Sequence, residues 1–417
     1  MKKLFISGMI ILLVILTACG QKELIAQEEK QPASAGIVST PEIVIKGLNE
    51  FSFDIYQTIN KSSEINSFIS PLSISAALGM TYAGAESQTA LEMKDALHYG
   101  PQRAEFHSDY GKMLDSLTTN TKDFEINIAN AVWVQKQFPL LKGYERTVKK
   151  DYRSESRELD FVKAPEKSRI IINDWVENKT NDRIQDLIPS GIIDPDTRMI
   201  LTNAVYFNAE WSNYFNEEMT RKEPFYLLDG LSKDCDMMYQ RHHYQYSKTS
   251  ALEILEIPYK GYDYSMLILL PKQRDGLKDM VKNINVNMLE KHDESKRNED
   301  ALVYMPKFKL ETDYELKPHL AALGMKEAFT DNADFSGMTG KKDLKISSVI
   351  HKAFIEVDER KTEAAAATAV VMKLTAAVPC MIAPIEFRAD HPFIFIIRHN
   401  DSKAIIFMGQ LTNPESK

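Results

Sequence analysis

The chain has 417 residues, and 44% of them are hydrophobic, so it can bury a large core. Its length alone predicts two or three domains. It carries 51 basic and 59 acidic residues, a formal net charge of −8 at pH 7. This balance and the lack of a basic cluster exclude a nucleic-acid-binding surface and a site for sulfated polysaccharides.

Residues 1–18 have the layout of a secretory leader, with Lys2 and Lys3 before an apolar run that ends at Leu16. That run is short for a membrane-spanning helix. The segment Leu16-Thr17-Ala18-Cys19 resembles the bacterial lipobox, in which the leader is cut before a cysteine that then receives lipid. The alternative is an ordinary signal peptide that happens to contain a cysteine. We expect a lipoprotein signal peptide, lipidation of Cys19, and attachment to a membrane of the cell envelope outside the cytoplasm.

Residues 19–43 contain few large apolar side chains and are rich in Gln, Lys, Glu, Ser, Ala and Pro, which predicts a flexible tether after the lipidated cysteine. Helical periodicity then begins. Leu48, Phe51, Ile55 and Ile59 are spaced three, four and four residues apart, which places them on one face of a helix.

Further segments have the pattern of helices or buried strands. Ser70 and Pro71 suit the N-cap and first turn of a helix. Another helix is predicted over 172–180, and buried strands or hairpins are predicted at 130–134, 199–207, 257–271 and 392–410.

The sequence contains none of the catalytic motifs considered for an enzyme. Gly-x-Ser-x-Gly, His-Glu-x-x-His and a phosphate-binding loop are all missing from the sequence. Cys235 and Cys380 are too far apart in sequence to indicate a disulfide scaffold or a metal site. We therefore predict no enzymatic activity, no metal and no cofactor, and an inert Cys235.

Residues 359–374 permit two interpretations. Their Ala, Glu, Met, Lys and Leu content favours a helix. As a strand, the even positions from Thr362 to Leu374 would form one uncharged face, with Glu363 and Lys373 on the other face. The pattern alone leaves both interpretations open.

A family resemblance favours the second interpretation. The segment from Glu359 through Thr368, with a hydrophobic run and then Phe387-Arg388-Ala389-Asp390-His391-Pro392-Phe393, resembles the hinge and reactive-centre loop of a serpin. Matching runs occur at 66–78, at 203–211 and at 331–338, so the resemblance covers about residues 44–414. The hinge residues it assigns are Glu359, Lys361, Thr362, Glu363, Ala364, Ala365, Ala366, Ala367 and Thr368.

The resemblance implies an α+β serpin fold in one domain over residues 44–417. It would contain three β-sheets, about eight or nine helices, and an exposed reactive-centre loop at about 359–386. In this family a protease cleaves the loop, and the hinge half then inserts into the large sheet as a new strand. The protease, still acyl-linked, is carried across and distorted. We therefore expect a monomeric suicide-substrate inhibitor of serine endopeptidases, with cysteine endopeptidases as a second class.

The resemblance also assigns individual residues. A histidine at the position of His351 would bond Asn203 near Ser70 and Ser73, forming a shutter beneath the opening strands, and Trp211 would stand at the breach above them. Counting about seventeen positions from Glu359 places the scissile bond at Thr375-Ala376, with Lys373 and Leu374 as alternatives. These residues would suit elastase-, trypsin- and chymotrypsin-like proteases respectively. Cys380 falls in the same loop, where a thiol would be exposed.

One position departs from the family pattern. Lys361 stands where the family usually has glycine, and the backbone freedom of glycine at the fold point is lost. This loss could make insertion slower. The second hypothesis is therefore a non-inhibitory serpin that acts as a binding protein or as a plain protease substrate. The lipobox alone would also fit a solute-binding lipoprotein, but such a protein has no use for the Thr362–Thr368 hinge.

Overall fold

The computed structural model describes residues 41–61, 65–100, 103–118, 124–360 and 383–414. All of them belong to one compact unit, Val38–Lys417. The predictions for Cys19, for Lys361 through Thr368, for Lys373 through Ala376 and for Cys380 lie outside the described residues. No helix in the described ranges is both long enough and apolar enough to span a bilayer.

The described residues form ten α-helices and fourteen β-strands. The helices are α1 (Pro41–Asn60), α2 (Pro71–Tyr82), α3 (Ser87–Ala96), α4 (Arg103–Leu117), α5 (Lys142–Asp151), α6 (Pro165–Lys179), α7 (Leu277–Asn283), α8 (Val286–Ser295), α9 (Lys317–Ala322) and α10 (Ser336–Thr339). The strands are β1 (Ser67–Ile69), β2 (Phe124–Gln135), β3 (Glu155–Leu159), β4 (Met199–Ala209), β5 (Arg221–Tyr226), β6 (Ser232–Lys248), β7 (Leu252–Pro258), β8 (Tyr264–Pro271), β9 (Arg297–Pro306), β10 (Phe308–Glu315), β11 (Ser348–Val357), β12 (Ile385–Arg388), β13 (Phe393–His399) and β14 (Ile405–Leu411).

Local chemistry explains where the first helices lie. Leu48, Phe51 and Ile55 are buried on one face of α1, as the three-and-four spacing predicts. Ser70 caps α2, because its hydroxyl accepts a hydrogen bond of 3.2 Å from the backbone N–H of Ser73, and Pro71 occupies the first helical position. Every residue of α2 is buried, so this helix lies in the middle of the molecule.

The strands form two hydrogen-bonded sheets. The larger has nine strands in the order β1-β14-β13-β8-β7-β6-β9-β12, with β5 also paired to β6, and the smaller has the order β10-β11-β4-β2-β3. The mixed α+β architecture predicted from the sequence is confirmed. The 17-residue strand β6 pairs with both β9 and β7, so hydrogen bonds connect strands that would otherwise count as two separate sheets.

The five-stranded sheet contains a parallel contact between two strands that are distant in sequence. Strands β4 and β11 are parallel neighbours, in register from Ile200 opposite Ser348 to Tyr206 opposite Phe354. Each is antiparallel to its other partner, β2 on one side and β10 on the other. We call the parallel contact of β4 with β11 the joint.

One face of the joint is covered by α6 and the segment after it. A hydrophobic cluster there contains Trp133 of β2, Ile200 of β4 and Ile350 of β11, packed against Val176 of α6 and Ile188 beyond it. The other face lies over α2, which contacts both β2 and β4. The joint is therefore enclosed on both faces.

Candidate functional site

A buried polar cluster lies under the middle of the joint. It consists of Ser70 and Ser73 at the start of α2, Asn130 on β2, Asn203 on β4 and His351 on β11, and none of the five is more than 3% exposed. Four of these residues were predicted from the sequence, and the structure brings those four together.

Hydrogen bonds connect the whole cluster. The Asn203 amide nitrogen Nδ2 lies 2.5 Å from Ser73 Oγ and 2.6 Å from Asn130 Oδ1. The Ser73 hydroxyl donates to Asn130 Oδ1 over 3.1 Å, and Asn130 Nδ2 donates to the Ser73 carbonyl over 3.0 Å. His351 Nδ1 contacts Asn203 Oδ1, and the Ser70 backbone N–H donates to His351 Nε2 over 3.2 Å.

The backbone of Ser70 determines the direction of these bonds. A backbone N–H can only donate, so His351 Nε2 must accept and the ring proton must sit on Nδ1. Nδ1–H then donates to Asn203 Oδ1, and the Asn203 amide nitrogen is left to donate to Ser73 and Asn130. Only one arrangement of protons satisfies the cluster.

The charge state of His351 follows from the same geometry. Burial lowers the pKa of His351 from its ordinary value to about 3, against the opposing effect of its hydrogen bond with Asn203. A second ring proton on Nε2 would point at the Ser70 N–H. The imidazole is therefore neutral at physiological pH, and the cluster carries no charge.

Sequence reasoning missed Asn130 as a member of this cluster. The sequence predicts Asn130 only as the first residue of a buried strand, and β2 does contain it. The available signal was an amide side chain at the start of the otherwise apolar run Asn130-Ala131-Val132-Trp133-Val134. A buried amide needs partners, but the sequence does not say which.

Trp211 lies apart from this cluster, two residues beyond the C-terminal end of β4. Its ring stacks on Tyr259 at a centroid distance of 4.6 Å, and its indole Nε1–H donates to the carbonyl of Asp358 over 2.9 Å. Its backbone N–H donates to the carbonyl of Arg360 over 3.2 Å. Because Asp358 and Arg360 follow β11, Trp211 bridges the two strands above the joint.

Glu359 is the first hinge residue, and the structure buries it to 6% exposure. Its carboxylate accepts hydrogen bonds from Lys307 Nζ at 2.7 Å and from Thr220 Oγ1 at 2.8 Å. Its carbonyl accepts from the Phe215 N–H at 2.8 Å. Burial alone would raise the pKa of Glu359, but the hydrogen bonds from Lys307 and Thr220 outweigh it and lower the pKa.

Arg360 adds a contact that the sequence did not predict. Its Nε lies 2.6 Å from Glu217 Oε1, in the short 3₁₀-helix Glu217–Met219 beyond Trp211. Residues 358–360 are thus held at the C-terminal ends of β4 and β11 by contacts with Trp211, Phe215, Glu217 and Thr220. We call this set of contacts the mouth.

The segment after α6 is attached to both strands of the joint. Lys352 of β11 donates from Nζ to the carbonyl of Gln185 over 2.9 Å, and the Arg183 guanidinium lies 5.6 Å from the ring centre of Tyr206 on β4. Separation of the two strands would therefore strain or break at least one of these two contacts.

One group of side chains in the described ranges has the spacing of a metal site, namely Glu256, His292 and Asp293. Its two carboxylates already pair with cations. Lys296 lies 2.8 Å from Glu256, and Arg398 lies 2.6 Å from Asp293. An added cation would have to displace them, so this group is a buried ion-pair network.

Comparison with known proteins agrees with this geometry. The sequence pattern of the family described as "Serpin (serine protease inhibitor)" matches residues 46–414. Serpin B3 of Homo sapiens is 38% identical over 384 residues, covering 88% of this chain and 98% of that protein. The leukocyte elastase inhibitor of Xenopus laevis is 38% identical over 375 residues, covering 87% and 97% respectively. The solved structure of human thyroxine-binding globulin, complexed with its ligand, superposes with a TM-score of 0.81 at 27% identity, covering 91% of this chain and 100% of that one. The chain belongs to the serpin family.

Proposed function

We propose that this chain inhibits serine endopeptidases as a suicide substrate, by inserting its cleaved loop between β4 and β11. The parallel joint is the observation that carries this proposal. A strand that turns back after Arg360 and enters the joint would run antiparallel to β11 and, because β4 and β11 are parallel, antiparallel to β4 as well. The four strands from β10 to β2, with the new strand among them, would then form one continuous antiparallel sheet.

The free energy of insertion is large enough to drive the process. About a dozen residues entering as a central strand would make roughly a dozen backbone hydrogen bonds, each with a net value of ~0.5–1.5 kcal/mol. Burial of the apolar half of the hinge adds about 0.8 kcal/mol per CH₂. The total, on the order of 10–20 kcal/mol, is comparable with the stability of a whole domain.

The buried cluster supports a shutter role for Ser70, Ser73, Asn203 and His351. Asn203 is on β4 and His351 is on β11, so separation of the strands breaks their mutual hydrogen bond. A fully satisfied polar cluster is rigid, and a partly satisfied one is costly. The cluster therefore favours either the closed sheet or a fully rearranged one, and disfavours states between them.

In the proposed reaction the protease serine attacks the carbonyl of the residue before the scissile bond, the peptide bond breaks, and the new amine leaves with a proton. The resulting acyl ester links the loop to the protease. Insertion then carries the protease away before water can hydrolyse the ester. The loop sequence favours Thr375-Ala376 as the scissile bond and an elastase-like target, with Lys373 and Leu374 as alternatives.

The test is to incubate the full-length chain in detergent with an elastase, a trypsin and a chymotrypsin, and to analyse the products on denaturing gels. We expect a complex that survives denaturant, and the mass of the released C-terminal peptide identifies the scissile residue. Thr362→Arg is the control, because it drives a charge into the closing sheet and should give clean cleavage without a complex. A stable complex with that variant would refute the mechanism.

A second candidate function rests on Lys361. If the lost backbone freedom makes insertion slower than hydrolysis of the ester, the protein would behave as a plain substrate or a binding protein. Cleavage of the unmodified chain without any complex would favour this candidate.

We further propose that the protein is a bacterial lipoprotein attached to the envelope through Cys19 and facing outside the cytoplasm. The sequence Leu16-Thr17-Ala18-Cys19 supports this. Mass spectrometry of the membrane-extracted protein should find Cys19 as the lipidated N-terminus. Cys19→Ala should abolish lipidation, and an unlipidated N-terminus in the unmodified protein would refute the proposal.

A further inference from the structure

The mouth of the joint contains an ion pair that the proposed mechanism does not require, between Arg360 and Glu217. We propose that this pair is a latch that sets the rate at which the hinge enters the sheet. The proposal rests on the inhibitory function proposed above, and it makes Arg360 and Glu217 positioning residues of the loop.

Arg360 is held by both its side chain and its backbone. Its Nε is 2.6 Å from Glu217 Oε1, its carbonyl accepts from the Trp211 N–H, and its own N–H donates to Asp358 Oδ1 over 3.0 Å. It is the last described residue before Lys361 and the rest of the hinge. Whatever holds Arg360 therefore acts directly on the residues that enter the sheet first.

The partners of the latch belong to opposite sides of the joint. Arg360 follows β11, whereas Glu217 follows β4 by way of Trp211. Neighbouring strands lie about 4.8 Å apart, and an inserted strand would increase the separation of β4 from β11 to roughly 9.6 Å. A contact of 2.6 Å between elements attached to these two strands is not retained through such a change.

The neighbouring ion pair of Glu359 behaves differently. Lys307 lies between β9 and β10, and β10 is paired with β11 on the side away from β4. The bond from Lys307 to Glu359 can therefore persist when the joint opens. Among these two ion pairs, only the one from Arg360 to Glu217 opposes insertion.

The strength of the latch suits control of a rate. Both partners are solvent-accessible, with 32% of the Arg360 side chain and 57% of the Glu217 side chain exposed. Pairs of this kind typically change an equilibrium about two- to fivefold, and salt weakens them. Insertion competes with hydrolysis of the acyl ester, so a change of this size alters the ratio of cleaved to trapped chains without altering the fold.

The first test is hydrogen exchange of the full-length chain in detergent, because the Trp211 and Phe215 amides donate to Arg360 and Glu359 across the mouth. We expect Glu217→Gln to make these two amides exchange about two- to fivefold faster than in the unmodified chain. The control is Asp115→Asn, which removes a surface pair with Arg153, joined at 3.0 Å between α4 and the residues after α5, in which 50% of the Arg153 side chain and 54% of the Asp115 side chain are exposed. Equal exchange in the two variants would overturn the latch.

The second test separates the latch from the proposed function. With the protease that forms a complex, Glu217→Gln should lower the ratio of cleaved to trapped chains about two- to fivefold, and the charge-reversed double variant E217R/R360E should restore it. Added salt should lower the ratio for the unmodified chain but not for Glu217→Gln. Faster exchange with an unchanged ratio would refute the latch as the step that sets the rate. If no protease forms a complex, the proposed function fails, while the exchange experiment still decides whether the pair holds the mouth closed.

Discussion

Replacing Asn203 with alanine tests the buried cluster most directly. The change removes three hydrogen bonds, to His351, Ser73 and Asn130. At ~0.5–1.5 kcal/mol each they contribute about 2–4 kcal/mol, and the Nδ1–H of His351, left buried without its acceptor, adds ~1–3 kcal/mol. We expect the free energy of unfolding to fall by about 3–7 kcal/mol, a large share of the ~5–15 kcal/mol typical of a domain.

The measurement is urea unfolding followed by circular dichroism, together with the monomer fraction by size exclusion after mild heating. The matched control is Asn208→Ala on the same strand, because Asn208 is only partly buried and lies towards the end of β4. Asn203→Ala should unfold at much lower urea and lose monomer to polymers or to a loop-inserted form, whereas Asn208→Ala should shift the free energy by less than about 0.5 kcal/mol. Equal stability and equal monomer content in the two variants would show that the cluster does not hold the joint.

Three further predictions concern His351, Glu359 and Lys361. The pKa of His351 is about 3 in the folded protein and near 6.5 in the unfolded chain. Between these two values the unfolded chain binds more protons than the folded one, so the folded state loses stability as the pH falls from 6.5 towards 3. As the pH falls from 6.5 towards 3, the free energy of unfolding should therefore decrease more steeply in the unmodified chain than in His351→Gln. The difference in slope should be up to ~1.4 kcal/mol per pH unit, and parallel pH profiles would exclude His351 as the cause. Glu359→Lys places a second cation beside Lys307 and should lower the free energy of unfolding by about 2–3 kcal/mol, with polymers visible on size exclusion. Lys307→Glu in the same chain should restore the monomer. Failure of that rescue would refute the ion pair as the reason. Lys361→Gly should restore backbone freedom at the fold point and reduce the number of chains cleaved per protease trapped, and an unchanged number would remove Lys361 as the brake.

The helices and strands around the joint follow from local sequence. The spacing of Leu48, Phe51 and Ile55 determines the buried face of α1, and the Ser70-Pro71 pair determines the start of α2. The apolar run of β4 reads directly as a buried strand. These features depend on side-chain periodicity and capping within a few residues, so they are visible in the sequence.

Sheet membership was harder to predict. The family resemblance predicts three sheets and about eight or nine helices, and the described residues contain two hydrogen-bonded sheets, joined through β6, and ten α-helices. The strand β6 is long enough to pair with different partners along its length, and its pairing depends on where β7 and β9 lie in space. Helices as short as α9 and α10 give too little periodicity to be recognised.

The sequence by itself determined the family resemblance, the hinge motif and four members of the buried cluster. Only the tertiary structure decided that Asn130 completes the cluster, that His351 is neutral with its proton on Nδ1, and that Glu217 reaches Arg360 from 143 residues away. The reason is physical. Motifs and periodicities arise from interactions between residues close in the chain, whereas the partner of a buried amide or of a charged side chain is fixed by which strands pack side by side and in what register.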